Sequence, residues 1–101
     1  MTKYAIPACG FCFLINAEDD MTPDDILKAI KMASVEYCST PEGIKVYEGN
    51  HHHFNYGDFN TYVPNRICKK YGISKDKTKY NCLDLQMDFN ERNEQLADFW
   101  L

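Results

Sequence analysis

The chain has 101 residues, of which 45% are hydrophobic and 14% are aromatic, and its formal net charge is −4 at pH 7. This length predicts a single domain over residues 1–101, because either half would be too small to form a core of its own. The apolar content excludes a largely disordered chain. No run approaches the ~18 apolar residues of a membrane helix.

The N-terminal residues and the cysteines both predict a cytoplasmic protein. The first twenty residues contain one lysine and a short apolar stretch, without the apolar core and cleavage site of a secretory signal. An odd number of cysteines argues against a disulfide framework and favours reduced thiols. The five cysteines are Cys9, Cys12, Cys38, Cys68 and Cys82.

Residues 4–17 predict a first β-strand, and a helix follows it. Apolar side chains occupy both alternating sets of strand positions, which is typical of a strand covered on both faces. Thr22 can cap the helix, Pro23 fits its first position, and the proline at position 41 predicts an end near Cys38. The expected apolar stripe of this helix consists of Ile26, Ile30, Ala33 and Tyr37, widened by Leu27 and Ser34.

Residues 44–56 predict a β-hairpin. Residues 44–48 alternate in polarity, residues 48–50 (Glu-Gly-Asn) have the composition of a turn, and residues 51–56 would form the returning strand. We expect Phe54, Tyr56 and Phe59 to lie at a partly exposed aromatic surface of this hairpin.

The last third of the chain predicts a second helix and a final strand. The helix begins at Asn60 or Thr61 and stops at Gly72 in a left-handed conformation, and a basic loop follows over residues 74–79. Residues 82–89 then alternate strictly, which predicts an antiparallel strand with one exposed face. The buried set is Leu83, Leu85, Met87 and Phe89, and the exposed set is Asp84, Gln86 and Asp88.

These elements predict a small α+β fold. We expect an antiparallel or mixed sheet of three to four strands, two main helices packed on one face, and a short C-terminal helix.

Cys9 and Cys12 form a CxxC motif. A redox site would place this motif between a strand and a helix N-terminus, whereas here it falls within the predicted strand. A structural zinc site needs a second ligand pair, and the chain has no second CxxC. We therefore expect no metal and no cofactor. The alternative is a metal site that combines Cys9 and Cys12 with His51 and His53.

His51, His52 and His53 resemble the His-x-His strand of rolling-circle nicking enzymes, in which two imidazoles on one strand face hold a divalent metal. Residues 35–40 (VEYCST) resemble the tyrosine motif of viral replication initiators, with Tyr37 at the tyrosine position. Thr40 stands where those initiators have a lysine, and His52 stands where a bulky apolar residue is usual. The tyrosine also precedes the histidines, as in plasmid relaxases. This resemblance implies a metal-dependent DNA-nicking enzyme as one alternative.

Positive charge is concentrated in residues 66–80. Six basic side chains and one acidic side chain give this segment a net charge of +5 and leave −9 for the rest of the chain. Lysines near aromatic rings can hold phosphate while a ring stacks on a base, which predicts a nucleotide or nucleic-acid binder as a second alternative. Its residues would be Lys69, Lys70, Lys75, Lys77, Lys79, Phe54, Tyr56 and Phe59.

The leading hypothesis is a non-enzymatic interaction protein that acts as an inhibitor. Small acidic chains without catalytic motifs are common among phage and mobile-element products that block host machinery, of which anti-CRISPR proteins are one kind. Exposed carboxylates would imitate phosphate and occupy the nucleic-acid channel of a protein partner in the host cytosol. No membrane contact is expected. The predicted interaction residues are Glu18, Asp19, Asp20, Asp84, Asp88, Glu91 and Glu94.

Overall fold

In a computed structural model, the backbone is described for residues 2–8 and 11–80, and side-chain burial is described for residues 14–75. This part of the chain contains strands and four helices in an α+β arrangement, which confirms the predicted class. A single 3-10 turn, Lys69–Tyr71, links the last of these helices to the third strand. The elements are β1 (Thr2–Ala8), β2 (Phe11–Ala17), α1 (Pro23–Cys38), α2 (Pro41–Gly49), α3 (Tyr56–Tyr62), α4 (Asn65–Cys68) and β3 (Ile73–Tyr80).

The strands form an antiparallel sheet in the order β1-β2-β3 within the described residues. Ile15 of β2 pairs with Tyr4 of β1 and with Lys75 of β3. Pro7 lies in β1, an outer strand of the order β1-β2-β3, and proline is tolerated in outer strands. The prediction of one continuous strand over residues 4–17 is wrong, because β1 and β2 are two strands of a hairpin.

β2 is buried on both faces, as its sequence predicts. Leu14 is 4% exposed and the next residue, Ile15, is 0% exposed. Successive side chains of a strand point to opposite faces, so both sides of the sheet are covered at this position. Ile15 belongs to the main core with Ala17 and Ile73, and the helices pack on that face.

α1 has the predicted bounds. The Thr22 hydroxyl accepts a hydrogen bond from the Asp25 N–H (3.2 Å), and the Thr22 N–H donates to the Asp25 carboxylate (3.0 Å). This capping box satisfies two backbone donors of the first turn and fixes where the helix begins. The predicted stripe is buried, namely Ile26, Ile30, Ala33 and Tyr37, together with Ser34.

The predicted hairpin over residues 44–56 is wrong, because residues 41–49 form the helix α2. The Thr40 hydroxyl accepts a hydrogen bond from the Gly43 N–H (3.0 Å), and Pro41 occupies the first helical position. Gly43 packs directly on the backbone of α1 at Tyr37, so closely that a Cβ atom would overlap the Tyr37 carbonyl oxygen. α2 therefore folds back tightly against the end of α1.

The helix predicted from residue 60 to residue 71 is also wrong in its bounds. α3 begins at Tyr56, where Asn55 and Asp58 form a second capping box. Val63 is extended because a residue before proline avoids the helical region, so Pro64 separates α3 from α4. Gly72 then has φ 81°, which confirms the predicted left-handed stop.

The core lies between the sheet and the helices. Among the side chains of residues 14–75, Phe54 and Phe59 are the largest that are fully buried, and burying each stabilises the fold by roughly 1.5–3 kcal/mol. The stretch predicted as a basic loop is instead part of β3. The predicted strand over residues 82–89 and the predicted C-terminal helix lie outside the described residues. Among the helices described, none is long and apolar enough to cross a membrane.

Candidate interaction surface

Three consecutive carboxylates lie on the turn between β2 and α1, which we call the acidic turn: Glu18, Asp19 and Asp20. All three residues are exposed. The turn is held by backbone hydrogen bonds from the Glu18 N–H to the Gly72 carbonyl (3.2 Å) and from the Met21 N–H to the Glu18 carbonyl (3.0 Å). Two backbone hydrogen bonds therefore hold both ends of the acidic turn.

The negative surface continues into the first turn of α1. Asp24 and Asp25 are exposed there. Hydrogen bonds from the Thr22 backbone N–H and hydroxyl lower the pKa of Asp25, and this effect outweighs its desolvation. Five carboxylates thus fall within eight residues at one end of α1. The other predicted acidic residues, Asp84, Asp88, Glu91 and Glu94, lie outside the described residues.

Within the side chains that the structure describes, Lys69, Lys70 and Lys75 of the basic segment do not share one phosphate-binding surface. Lys69 is exposed, but the Lys70 ammonium makes an ion pair with Glu36 (2.8 Å). Lys75 is partly buried, and its ammonium donates to the carbonyl oxygens of Phe59 (3.2 Å) and Asn60 (2.9 Å). Assigning Lys75 to a phosphate site is wrong, because this cation caps the end of α3. Lys77 and Lys79 lie in β3.

The aromatic surface predicted beside those lysines is wrong. Phe54, Tyr56 and Phe59 are 0%, 4% and 0% exposed. The Phe54 ring packs at 6.2 Å, centroid to centroid, from the ring of Tyr37. Because these aromatic side chains form the core, none of them is available to stack on a base.

The three histidines lie at the end of α2 and not on a strand. His51 and His52 have φ values of 56° and 61°, the left-handed conformation that closes a helix. The His52 N–H donates to the Tyr47 carbonyl (2.9 Å), and its ring lies edge-on to the Tyr47 ring at 5.3 Å. The prediction of two imidazoles on one strand face is therefore wrong. Tyr37, the predicted counterpart of the nicking tyrosine, is 6% exposed and lies in the core.

Within residues 14–75, no group of three or more His, Cys, Asp or Glu side chains is arranged to hold a metal ion. Burial raises the pKa of the Cys68 thiol to about 11, so this thiol stays protonated at neutral pH. Burial also raises the pKa of Cys38. The predicted ligands Cys9 and Cys12 lie beyond the described side chains, so a site that combines them with His51 and His53 stays a prediction.

The sequence reasoning did not identify a surface on the outer side of α1, which we call the α1 ridge: Lys28, Lys31, Met32 and Val35. Met32 is 55% exposed and Val35 is 52% exposed. The positions of Met32 and Val35 on the helix are the sequence signal that indicates this surface. They lie three residues apart, on the side opposite the buried stripe.

A small polar network borders the α1 ridge. The Glu36 carboxylate accepts hydrogen bonds from the Lys70 ammonium and from the Tyr71 hydroxyl, each at 2.8 Å. These two donors lower the pKa of Glu36, with a smaller contribution from Arg66. The network fastens the 3-10 turn at Lys69–Tyr71 to α1.

Neither a family model, nor a curated protein, nor a solved structure matches this chain.

Proposed function

We propose that this protein is a non-enzymatic inhibitor that binds a basic, nucleic-acid-binding protein through the acidic turn. The supporting observation is the position of Glu18, Asp19 and Asp20. They are three consecutive exposed carboxylates, held on a turn that is hydrogen-bonded to the residue preceding β3. Because the turn is held in place, little conformational entropy is lost when a partner binds it.

The class of partner follows from the charge. A row of carboxylates presents a potential similar to that of a phosphate backbone, so it suits a groove that normally holds nucleic acid. We place this activity in the cytosol of a host, as expected of an anti-CRISPR-like product of a phage or mobile element. The residues predicted to extend the surface beyond the acidic turn are Asp84, Asp88, Glu91 and Glu94.

The competing hypothesis of direct nucleic-acid binding is weakened by two observations. The aromatic side chains that it requires are buried, and Lys75 binds backbone carbonyls. The remaining lysines predicted to bind phosphate are Lys69, Lys70, Lys77 and Lys79. Of these, Lys70 already makes an ion pair with Glu36. Gel-shift assays with single-stranded and duplex DNA and RNA test this hypothesis directly.

The decisive experiment is a pull-down from nuclease-treated bacterial lysate with three baits. They are the wild type, a Glu18→Lys/Asp19→Lys/Asp20→Lys variant, and a Lys69→Glu control at an exposed lysine. We expect the wild type and the control to retain a nucleic-acid-binding protein at low salt, and the reversed variant to lose it. The attraction should weaken steeply with salt, because exposed charges are screened within ~8–10 Å at physiological ionic strength.

Two outcomes would overturn this proposal. One is capture that survives reversal of the acidic turn, with a separate Asp84→Lys/Asp88→Lys variant also unaffected. The other is a nucleic-acid complex in the gel shift that Lys69→Glu abolishes, because that result assigns the binding to the lysines.

A further inference from the structure

We propose that residues 81–101 cover the face of the sheet opposite to the helices and present Asp84 and Asp88 there as a second acidic surface. We call this face, which is marked by Leu14 of β2, the far face of the sheet. The covering follows from burial and strand register, whereas the role of the two aspartates in binding rests on the proposed function.

The burial of Leu14 requires a cover on the far face. Leu14 is only 4% exposed, and yet it does not belong to the core that the helices form around Ile15. Leu14 and Ile15 are successive residues of β2, so their side chains point to opposite faces. The neighbouring strands β1 and β3 flank Leu14 only within the plane of the sheet. A further part of the chain therefore lies over Leu14.

Chain length identifies that part. The described strands, helices and connections account for residues 2–8 and 11–80. What remains is Met1, the connection 9–10 between β1 and β2, and residues 81–101. The first two are too short to reach over a side chain in the middle of a sheet, so residues 81–101 are the segment that can cover it.

The position at which β3 ends agrees with this assignment. Tyr80, the last residue of β3, is paired with Cys12, which lies two residues before Leu14 in β2. The chain therefore leaves β3 within ~7 Å of Leu14 along the strand direction. Exposure rises towards the opposite end of β2, where Asn16 is half-buried. The cover is thus most complete near the point at which the chain leaves β3.

The chemistry of residues 83–89 decides which of their side chains meet Leu14. Apolar and polar residues alternate there, so the two sets point in opposite directions along an extended segment. Burial of Asp84 and Asp88 against Leu14 would cost free energy, because a buried ionised group needs a partner. We therefore expect the two aspartates to face solvent and the apolar set to face Leu14, namely Leu83, Leu85, Met87 and Phe89.

Such a surface suits the same basic partner as the acidic turn. Leu14 lies four residues before Glu18, which is about 13 Å along a strand. This distance corresponds to about four nucleotides along one strand of a duplex, at roughly 3.4 Å each. A groove that normally holds nucleic acid can therefore contact the acidic turn and the aspartates of the far face together.

Nuclear Overhauser effects (NOEs) in the full-length protein with labelled methyl groups test the covering. We expect the Leu14 methyls to give NOEs to the apolar set of residues 83–89. Ile15 is the matched control, because it is the next residue on the opposite face, and its methyls should give NOEs to α1 and none to residues 81–101. The proposal would be overturned by NOEs from Leu14 to residues 2–80 alone, or by NOEs from Ile15 to residues 81–101.

The acidic surface is tested by the Asp84→Asn/Asp88→Asn variant, with Gln86→Asn as a control at the polar position between them. The probe is an arginine-rich synthetic peptide, which stands for the basic groove. We expect the double variant to weaken peptide binding by at least about threefold, with unchanged Leu14 NOEs, and the control to bind like the wild type.

The two proposals fail in different ways. If reversal of the acidic turn weakens peptide binding and Asp84→Asn/Asp88→Asn does not, the second acidic surface is overturned and the proposed function stands. If neither variant changes the affinity, the proposed function fails as well. The Leu14 NOEs decide the covering in either case.

Discussion

The apolar residues of the segment from Phe54 to Phe59 are buried, whereas those on the outer face of α1 are exposed. Phe54 and Phe59 lie among histidines, asparagines and an aspartate, and yet both are completely buried. Met32 and Val35 lie in a regular amphipathic helix and are more than half exposed. Burial is therefore decided by which elements meet in space, and the composition of the neighbouring residues is a poor guide to it.

The largest difference in stability between the two regions should appear when one apolar side chain from each is replaced by alanine. Phe59→Ala removes a fully buried ring that contributes to the core and lies 5.5 Å beneath the Lys75 ammonium, and we expect it to lower the free energy of unfolding by about 3–5 kcal/mol. Met32→Ala should change it by less than about 0.5 kcal/mol. Urea unfolding followed by circular dichroism measures both. Similar losses in the two variants would show that the contrast in burial is not real.

A pair of glycines in α2 tests how closely the buried region packs on α1. In Gly43→Ala the new Cβ would lie 2.8 Å from the Cys38 Cα and would overlap the Tyr37 carbonyl. We expect a loss near the upper end of about 1–3 kcal/mol, because backbone atoms must move. At Gly49 nothing lies within 4 Å of the added Cβ, so Gly49→Ala should raise stability by roughly 0.4–1 kcal/mol. Thermal unfolding of both variants checks the opposite signs.

Ser34 is a buried polar side chain on the inner face of α1, and replacing it should stabilise the protein. The Ser34 hydroxyl is buried, and no hydrogen-bond partner is found for it in the part of the chain described. Ser34→Ala should therefore raise the free energy of unfolding, by up to about 1 kcal/mol. Ser39→Ala is the control, because the exposed Ser39 hydroxyl donates to the Val35 carbonyl (2.8 Å). A destabilised Ser34→Ala variant would indicate that this hydroxyl has a partner after all.

The smallest change in stability is expected from replacing Glu36, which lies on the border of the α1 ridge. Its pKa in the folded protein is lowered from 4.5 by the hydrogen bonds from Lys70 and Tyr71. A lowered folded pKa means that this carboxylate adds stability above pH 4.5, and that the contribution is lost as the pH falls through the folded pKa. Because Glu36 lies near the surface, we expect only a shallow pH dependence, which Glu36→Gln should remove. Urea midpoints over a pH series test this, and the two proteins should converge in acid.

Parts of the fold follow from local sequence signals. Thr22 and Pro23 fix the start of α1 through hydrogen bonds within one turn, and Gly72 ends a helical segment through its own φ angle. The same chemistry recurs at Thr40 and Pro41, where it begins α2. Pro41 predicts the end of α1, and a Thr-Pro pair predicts the start of a new helix equally well.

Other parts depend on contacts that no local pattern contains. The alternation in residues 44–48 is too short to distinguish a strand from a helix, and the close approach of Gly43 to α1 adds to the Thr40 cap in favouring the helix. Lys75 looked like a surface lysine because its partners are two backbone carbonyls, and a carbonyl has no sequence signature. The acidic turn was predictable because three consecutive charges cannot all be buried. The α1 ridge does not follow from the buried stripe, because Met32 and Val35 lie on the opposite side of the helix.

The partly buried ammonium of Lys75 has a consequence for how the molecule opens. It joins β3 to the end of α3, and the Asn65 side chain pairs with the Lys75 backbone in both directions, at 2.7 and 3.1 Å. Separation of the strand from the helices would expose the α3 carbonyls and break all of these bonds together. Amide hydrogen exchange in β3 and at the α3–α4 junction should therefore report one shared opening event, a single cooperative folding unit that spans sheet and helix.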